Sequence, residues 1–172
     1  MPLSLHAAFV PSCLQLLGSM THLLNKAEAW CQENTIAPDD LIQAKLADDM
    51  LAFAYQIKST AVHSELAIRS LSEGVFSPDM TPPPQDFAGL HQCINQAVEY
   101  LSGVAEADLE AVIGKPMQFK MGNFELNFTA ENFLLSFSQP NFYFHATTAY
   151  DILREQGLKI GKADYLGRPR VV

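Results

Sequence analysis

Pro140-Asn141-Phe142-Tyr143-Phe144-His145-Ala146-Thr147-Thr148-Ala149-Tyr150-Asp151-Ile152-Leu153-Arg154 is the stretch on which the reading of this chain turns. It opens on a proline and carries the rings of Phe142, Tyr143, Phe144, His145 and Tyr150 in what reads as one helix. Leu134, Asn141, His145, Ala149 and Ile152 fall at the spacing of a single helix face. The outer members are apolar, so that face is expected to point inward. Asn141, His145 and Thr148 are then expected to meet near the middle of a bundle. An imidazole there is either a buried histidine, held by Asn141 or by a carbonyl or hydroxyl of another helix, or the floor of a pocket and a metal ligand.

Working outward, Thr129 is placed to N-cap this helix and Gly157-Leu158 to end it near Gln156, with a kink expected at Pro140. Upstream the period changes. Met117, Phe119 and Met121, then Phe124, Leu126 and Phe128, alternate around Gly122-Asn123 and predict a small β-hairpin. Three further helices are expected. The first is carried by Phe9, Cys13, Leu16, Leu17, Met20, Leu23, Leu24, Ala27 and Trp30, with Pro11 near its start. The second runs from about Asp48 to Ser72 and the third from about Asp86 to Ser102. Pro38-Asp39-Asp40 opens a short helical turn, and Pro78, Pro82, Pro83 and Pro84 mark an extended crossover. The fold class expected is mainly α: a four-helix bundle with a small β-hairpin between helices 3 and 4, as one domain over 1–172.

Composition narrows the function classes. Of 172 residues, 48% are hydrophobic and 17% charged, which suits a packed core rather than disorder. The formal net charge of -8 argues against nucleic-acid binding through phosphates. Apolar runs read as too short for a membrane span, and the N-terminus lacks the pattern of a signal peptide, so a cytoplasmic location is expected. Cys13, Cys31 and Cys93 read as free thiols of a reducing compartment. Basic residues cluster only at Lys159, Lys162, Arg168 and Arg170, either a solvated tail or a contact for an anion or an acidic partner surface.

No phosphate-binding loop, dinucleotide fingerprint, nucleophile elbow, HExxH, CxxC or Glu-x-x-His motif occurs. Histidine is what remains for chemistry: His6, His22, His63, His91 and His145. His63 lies beside Gln56, Thr60 and Ala67 on the second helix, away from its main apolar face. His6, His22 and His91 lack evident convergent partners and read as structural or exposed. Tyr143, Tyr150, Phe142 and Phe144 read as packing residues.

The C-terminal run from Asn141 to Arg154, continued by Gly157 and Gly161-Lys162-Ala163-Asp164-Tyr165-Leu166-Gly167, resembles the signature of an uncharacterised bacterial family. That family is grouped with the DinB/YfiT-like four-helix bundles. Phe9-Val10-Pro11 to Ala27-Glu28-Ala29, Leu46-Ala47-Asp48-Asp49-Met50 and Gln56-Ile57 match as well, so the resemblance spans nearly the whole chain. It implies a DinB-like bundle. Members of the wider group commonly hold a divalent metal through three histidines, one on the second helix and an HxxxH pair on the fourth, and some are metal-dependent thiol transferases. Carried over, His63 matches the second-helix ligand and His145 one member of the pair. The other member is absent, because Asn141 and Ala149 stand four residues to either side.

Three readings follow. One is a bundle without a complete metal triad, homodimeric, binding a small ligand or partner, with Asn141, Thr148 and Tyr150 as pocket candidates. The second is an enzyme of the thiol-transferase type holding Zn²⁺ or Ni²⁺ through His63 and His145, with Asn141, Tyr150 or Asp151 in the third place. The third is a metal-free hydrolase or isomerase using His145 as base. Shared ligation of one ion would need the two rings within about 5 Å of each other.

Overall fold

The computed structural model describes residues 3–171. The first helix, α1 (Leu5–Asn34), begins where the Ser4 hydroxyl accepts the Ala7 N–H and ends at Thr35 in the left-handed region. It is longer than its apolar pattern alone implied: it starts at Leu5, ahead of Pro11, which lies inside the helix, and it runs past Trp30 to Asn34. By length and composition α1 could cross a membrane, contrary to the reading of short apolar runs. Its apolar residues, Phe9, Leu17, Met20, Leu23 and Leu24 among them, are instead fully buried in the core. Next come the short α2 (Pro38–Ile42) and then α3, which spans 53–72 and comprises Phe53–Ala61, a π-helical turn Val62–Leu66, Ala67–Arg69 and a 3-10 turn Ser70–Ser72. The expected start at Asp48 is corrected to Phe53. Residues 48–52 turn instead, so that the Phe53 amide reaches the Ala44 carbonyl and its ring enters the core.

After α3 the chain forms β1 (Val75–Phe76), crosses on its prolines and enters α4 (Phe87–Ser102), whose first turn is capped by Asp86 on Gly89 N–H. The short α5 (Glu106–Glu110) leads to β2 (Pro116–Met121) and β3 (Phe124–Thr129), the hairpin expected around Gly122-Asn123. A third strand, too short to read from sequence, joins it: β1 pairs parallel to β2, with Phe76 opposite Phe119. The fourth long helix, α6, covers 130–155 as Ala130–Asn132, a second π-helical turn Phe133–Ser138, and Gln139–Glu155. Thr129 holds the N-cap backbone conformation, but its hydroxyl makes no capping bond. Gly157, at φ 96, ends α6, and Leu158 N–H closes back on the Leu153 carbonyl. A last helix, α7 (Lys162–Leu166), folds against α1.

The four long helices close a ring, α1 on α4, α4 on α3, α3 on α6 and α6 on α1. This is the four-helix bundle, mainly α with a small sheet, that the apolar periodicity implied. The sheet covers one end, where Phe76, Phe119, Phe128, Phe133 and Phe137 interlock at ring separations of 4.8 to 6.1 Å. Lys58, buried in α3, fixes the crossover: its ammonium pairs with Asp79 Oδ2 at 2.9 Å and donates to Thr81 Oγ1 at 2.8 Å. Phe133, fully buried between sheet and helices, is the ring whose loss the fold should feel most. Phe133→Ala is expected to lower unfolding stability by about 3–5 kcal/mol in urea denaturation. The exposed hairpin substitution Phe124→Ala should change it by less than about 1 kcal/mol.

Candidate histidine site

The two π-helical turns meet at one place. In a regular helix each carbonyl receives the amide four residues on. In the wide turn of α3, Ala67 N–H instead reaches back to Val62, which frees the His63 carbonyl from that partner. It accepts a hydrogen bond from the Ser138 hydroxyl of α6 at 2.9 Å. Ser138 is the last residue of the second wide turn and fully buried. Pro140, two residues on, has no N–H to give the Ser136 carbonyl, so a regular turn is already broken there. The expected kink thus takes the form of a local widening, the kind of irregularity that often marks a working site.

Hydrogen bonding then sets the state of both imidazoles. Gln56, buried on α3, donates its amide N–H to the Leu51 carbonyl at 2.8 Å, which leaves Oε1 facing His145 Nδ1 at 2.7 Å. A carbonyl oxygen can only accept, so His145 Nδ1 carries the hydrogen and Nε2 the lone pair. His63 is fixed the same way. The Ser138 hydroxyl spends its single hydrogen on the His63 carbonyl, so at 3.3 Å its oxygen accepts from His63 Nδ1–H. Neither Nε2 has a protein hydrogen-bond partner among the described residues. Burial holds both rings neutral: it pushes His145 down to about 4, and burial with the neighbouring His145 pushes His63 down to about 3.

The rings lie nearly parallel, 14° apart in plane, with centres separated by 5.6 Å. His63 lies over Phe76 at 5.5 Å, with Phe137 edge-on at 6.1 Å, while Tyr55 and Phe144 stand edge-on to His145 at 6.0 and 5.3 Å. The site is therefore two neutral acceptors in an aromatic wall. It brings together the His63 and His145 anticipated from sequence, at slightly more than the ring separation expected for shared ligation. Among the described residues no group of three or more His, Cys, Asp or Glu side chains could hold a metal ion. A catalytic divalent ion usually takes three protein ligands, so this donor set does not fit one.

The three pocket candidates make no hydrogen bond to either imidazole among the described residues. Asn141 turns its amide onto the Phe137 carbonyl at 2.7 Å, and Thr148 its hydroxyl onto the Phe144 carbonyl at 2.7 Å. Both donate to their own helix, as small polar side chains readily do, and neither bonds to His145 among the described residues. Tyr150 packs edge-on to Tyr165 at 5.8 Å. The partners that do hold the rings, Gln56 and Ser138, were missed. Gln56 and His63 are seven residues apart, two helical turns, and that spacing was the available signal. Ser138 had none, because its role depends on two turns widening together. His22 also gains an unforeseen partner, Asp164, at 2.9 Å.

A model of a domain of unknown function, DUF1993, matches residues 5–166. The chain belongs to the DUF1993 family. A crystal structure of a DinB family member protein from Shewanella denitrificans is similar over 98% of this chain and 94% of that one, at 28% identity and a TM-score of 0.81. The resemblance read from the C-terminal signature is thereby borne out at the level of family and fold. No curated protein matches.

The depressed histidines make stability pH-dependent with a definite sign. In the unfolded chain each titrates near 6.5, whereas in the fold His145 titrates at about 4 and His63 at about 3. Between those values the unfolded state binds more protons. Stability is therefore full above about pH 6.5 and falls on acidification through that window. Urea midpoints are expected to drop between pH 7 and pH 5, and His63→Gln should flatten that drop. Gln56→Glu, which sets a carboxylate beside His145, should move the imidazole back toward or above 6.5 in an NMR titration.

Proposed function

We propose that this DUF1993 protein is a small-ligand-binding bundle whose centre is the His63–His145 pair. The observation that carries the reading is the fixed tautomer of both rings. Gln56 and Ser138 consume the Nδ1 hydrogens and leave two neutral Nε2 lone pairs among Tyr55, Phe137 and Phe144. Such a wall favours an uncharged molecule with an apolar or aromatic body and an O–H or N–H to donate. The one hydroxyl bonded to an imidazole among the described residues, Ser138, is fully buried with its hydrogen committed to the His63 carbonyl, and no carboxylate bonds to either ring, which supports binding over turnover. The proposal includes a homodimer in the cytoplasm, for which the exposed side chains of Phe144 and Leu51 offer apolar contact surface.

Phenol and its methyl ether anisole test the donor requirement. Phenol should shift the His145 and His63 ring resonances saturably at millimolar concentration, anisole several-fold more weakly, and His145→Ala should abolish the difference. Equal binding of both, or of neither, would count against the reading. The metal-dependent alternative is tested by incubating untagged protein with Zn²⁺ or Ni²⁺ and analysing metal after gel filtration. Sub-stoichiometric metal, unchanged by His145→Ala, is expected; one ion per chain, lost in that variant, would replace the ligand-binding reading with the metal-dependent one.

A further inference from the structure

Gly18 lies in the middle of α1, a helix of 30 residues. Glycine destabilises a helix interior relative to alanine, and nothing in the fold asks for it here. Its backbone is ordinary helix, and a Cβ built on it meets no atom within 4 Å. Gly167 makes the contrast: its φ is 63°, and a Cβ there would stand 2.4 Å from Ser19 Oγ. Gly167 is therefore needed to press the tail onto α1, whereas Gly18 is not needed by any internal contact. The missing side chain leaves open the floor of a groove of about 630 Å³ between α1 and α7.

The charges of this groove are arranged with one cation to spare. Asp164 is fully engaged: Oδ1 takes His22 at 2.9 Å and Lys26 at 2.7 Å, and Oδ2 accepts Gly161 N–H at 2.7 Å, which holds the carboxyl far below its usual range. Arg168 lines the groove and forms no ion pair among the described residues. From Gly157 to the end of the chain, Lys159, Lys162, Arg168 and Arg170 stand against the single acid Asp164, in a protein of net charge -8. A local positive potential on an acidic protein draws anions to that face. The conspicuous Gly161–Gly167 motif, which the histidine site does not use, builds the wall of this groove.

We propose that the groove between α1 and α7 is a second binding site, for a small organic anion whose carboxylate or phosphate pairs with Arg168 and whose apolar part lies over Gly18. The guanidinium offers the planar fork suited to either anion, and Leu14 and Ala163 supply the apolar contact. The volume falls within the ~300–1,000 Å³ usual for small-molecule sites.

The probes are benzoate, phenyl phosphate and neutral benzyl alcohol, titrated into the full chain while backbone amide resonances are followed. At least one anion should shift Gly18, Ser19, Gly167 and Arg168 saturably, and at least tenfold more tightly than benzyl alcohol. Which anion binds tells a carboxylate from a phosphate ligand. Arg168→Ala should weaken binding about tenfold or more. Gly18→Leu should fill the floor and abolish binding while its melting temperature stays level or rises, since the substitution favours helix. The proposal is overturned if neither anion shifts these amides at millimolar concentration, or if Gly18→Leu binds as the parent does. It is equally overturned if Gly18→Leu melts well below the parent, for the glycine would then serve the fold.

Discussion

The hydrogen bond from the buried Ser138 hydroxyl to the His63 carbonyl is the constraint around which this bundle is arranged. It joins α3 to α6 at the level where both helices widen by a residue, and each widening makes the other tolerable. The carbonyl freed from Ala67 finds the Ser138 hydroxyl, and that hydroxyl avoids the roughly 1–3 kcal/mol cost of a buried unpaired group. Pro140 reinforces the arrangement by denying α6 a regular turn just beyond Ser138. Once the two helices are locked in this register, the ring of His63 comes to lie against that of His145. Their protonation states then follow from which partners remain.

Those partners set the chemistry more tightly than proximity alone. Gln56 is oriented by the Leu51 carbonyl, and Ser138 by the His63 carbonyl. Each therefore presents only an accepting oxygen to its imidazole. Burial alone would make the histidines neutral; the hydrogen bonds decide which nitrogen is bare. The result differs from a divalent-metal centre in its count of donors, since no third His, Cys, Asp or Glu side chain joins the two imidazoles among the described residues.

The fold was largely legible because periodicity reports which side chains must be buried. The apolar stripes of α1, α3, α4 and α6 and the alternation about Gly122-Asn123 each pointed to the element that formed. What escaped was local and cooperative. Strand β1 is two residues long and exists only because β2 lies beside it. The start of α3 moved to Phe53 because the burial of that ring outweighed helix-compatible residues upstream. At the site, His63 and His145 could be named from their positions, but Gln56 and Ser138 could not be assigned their roles. Those depend on which backbone groups two irregular turns leave open. The groove beside Gly18 was hidden for a related reason: a helix glycine reads as a tolerated weakness until the space above it is known.

Long-range ¹⁵N correlation spectra of the two imidazoles, recorded from pH 8 to pH 4, test the central claim most directly. The account predicts that both rings carry hydrogen on Nδ1 and a bare Nε2, and that neither gains a proton above about pH 5. A spectrum with hydrogen on Nε2 of either ring, or with ordinary titration near 6.5, would contradict it.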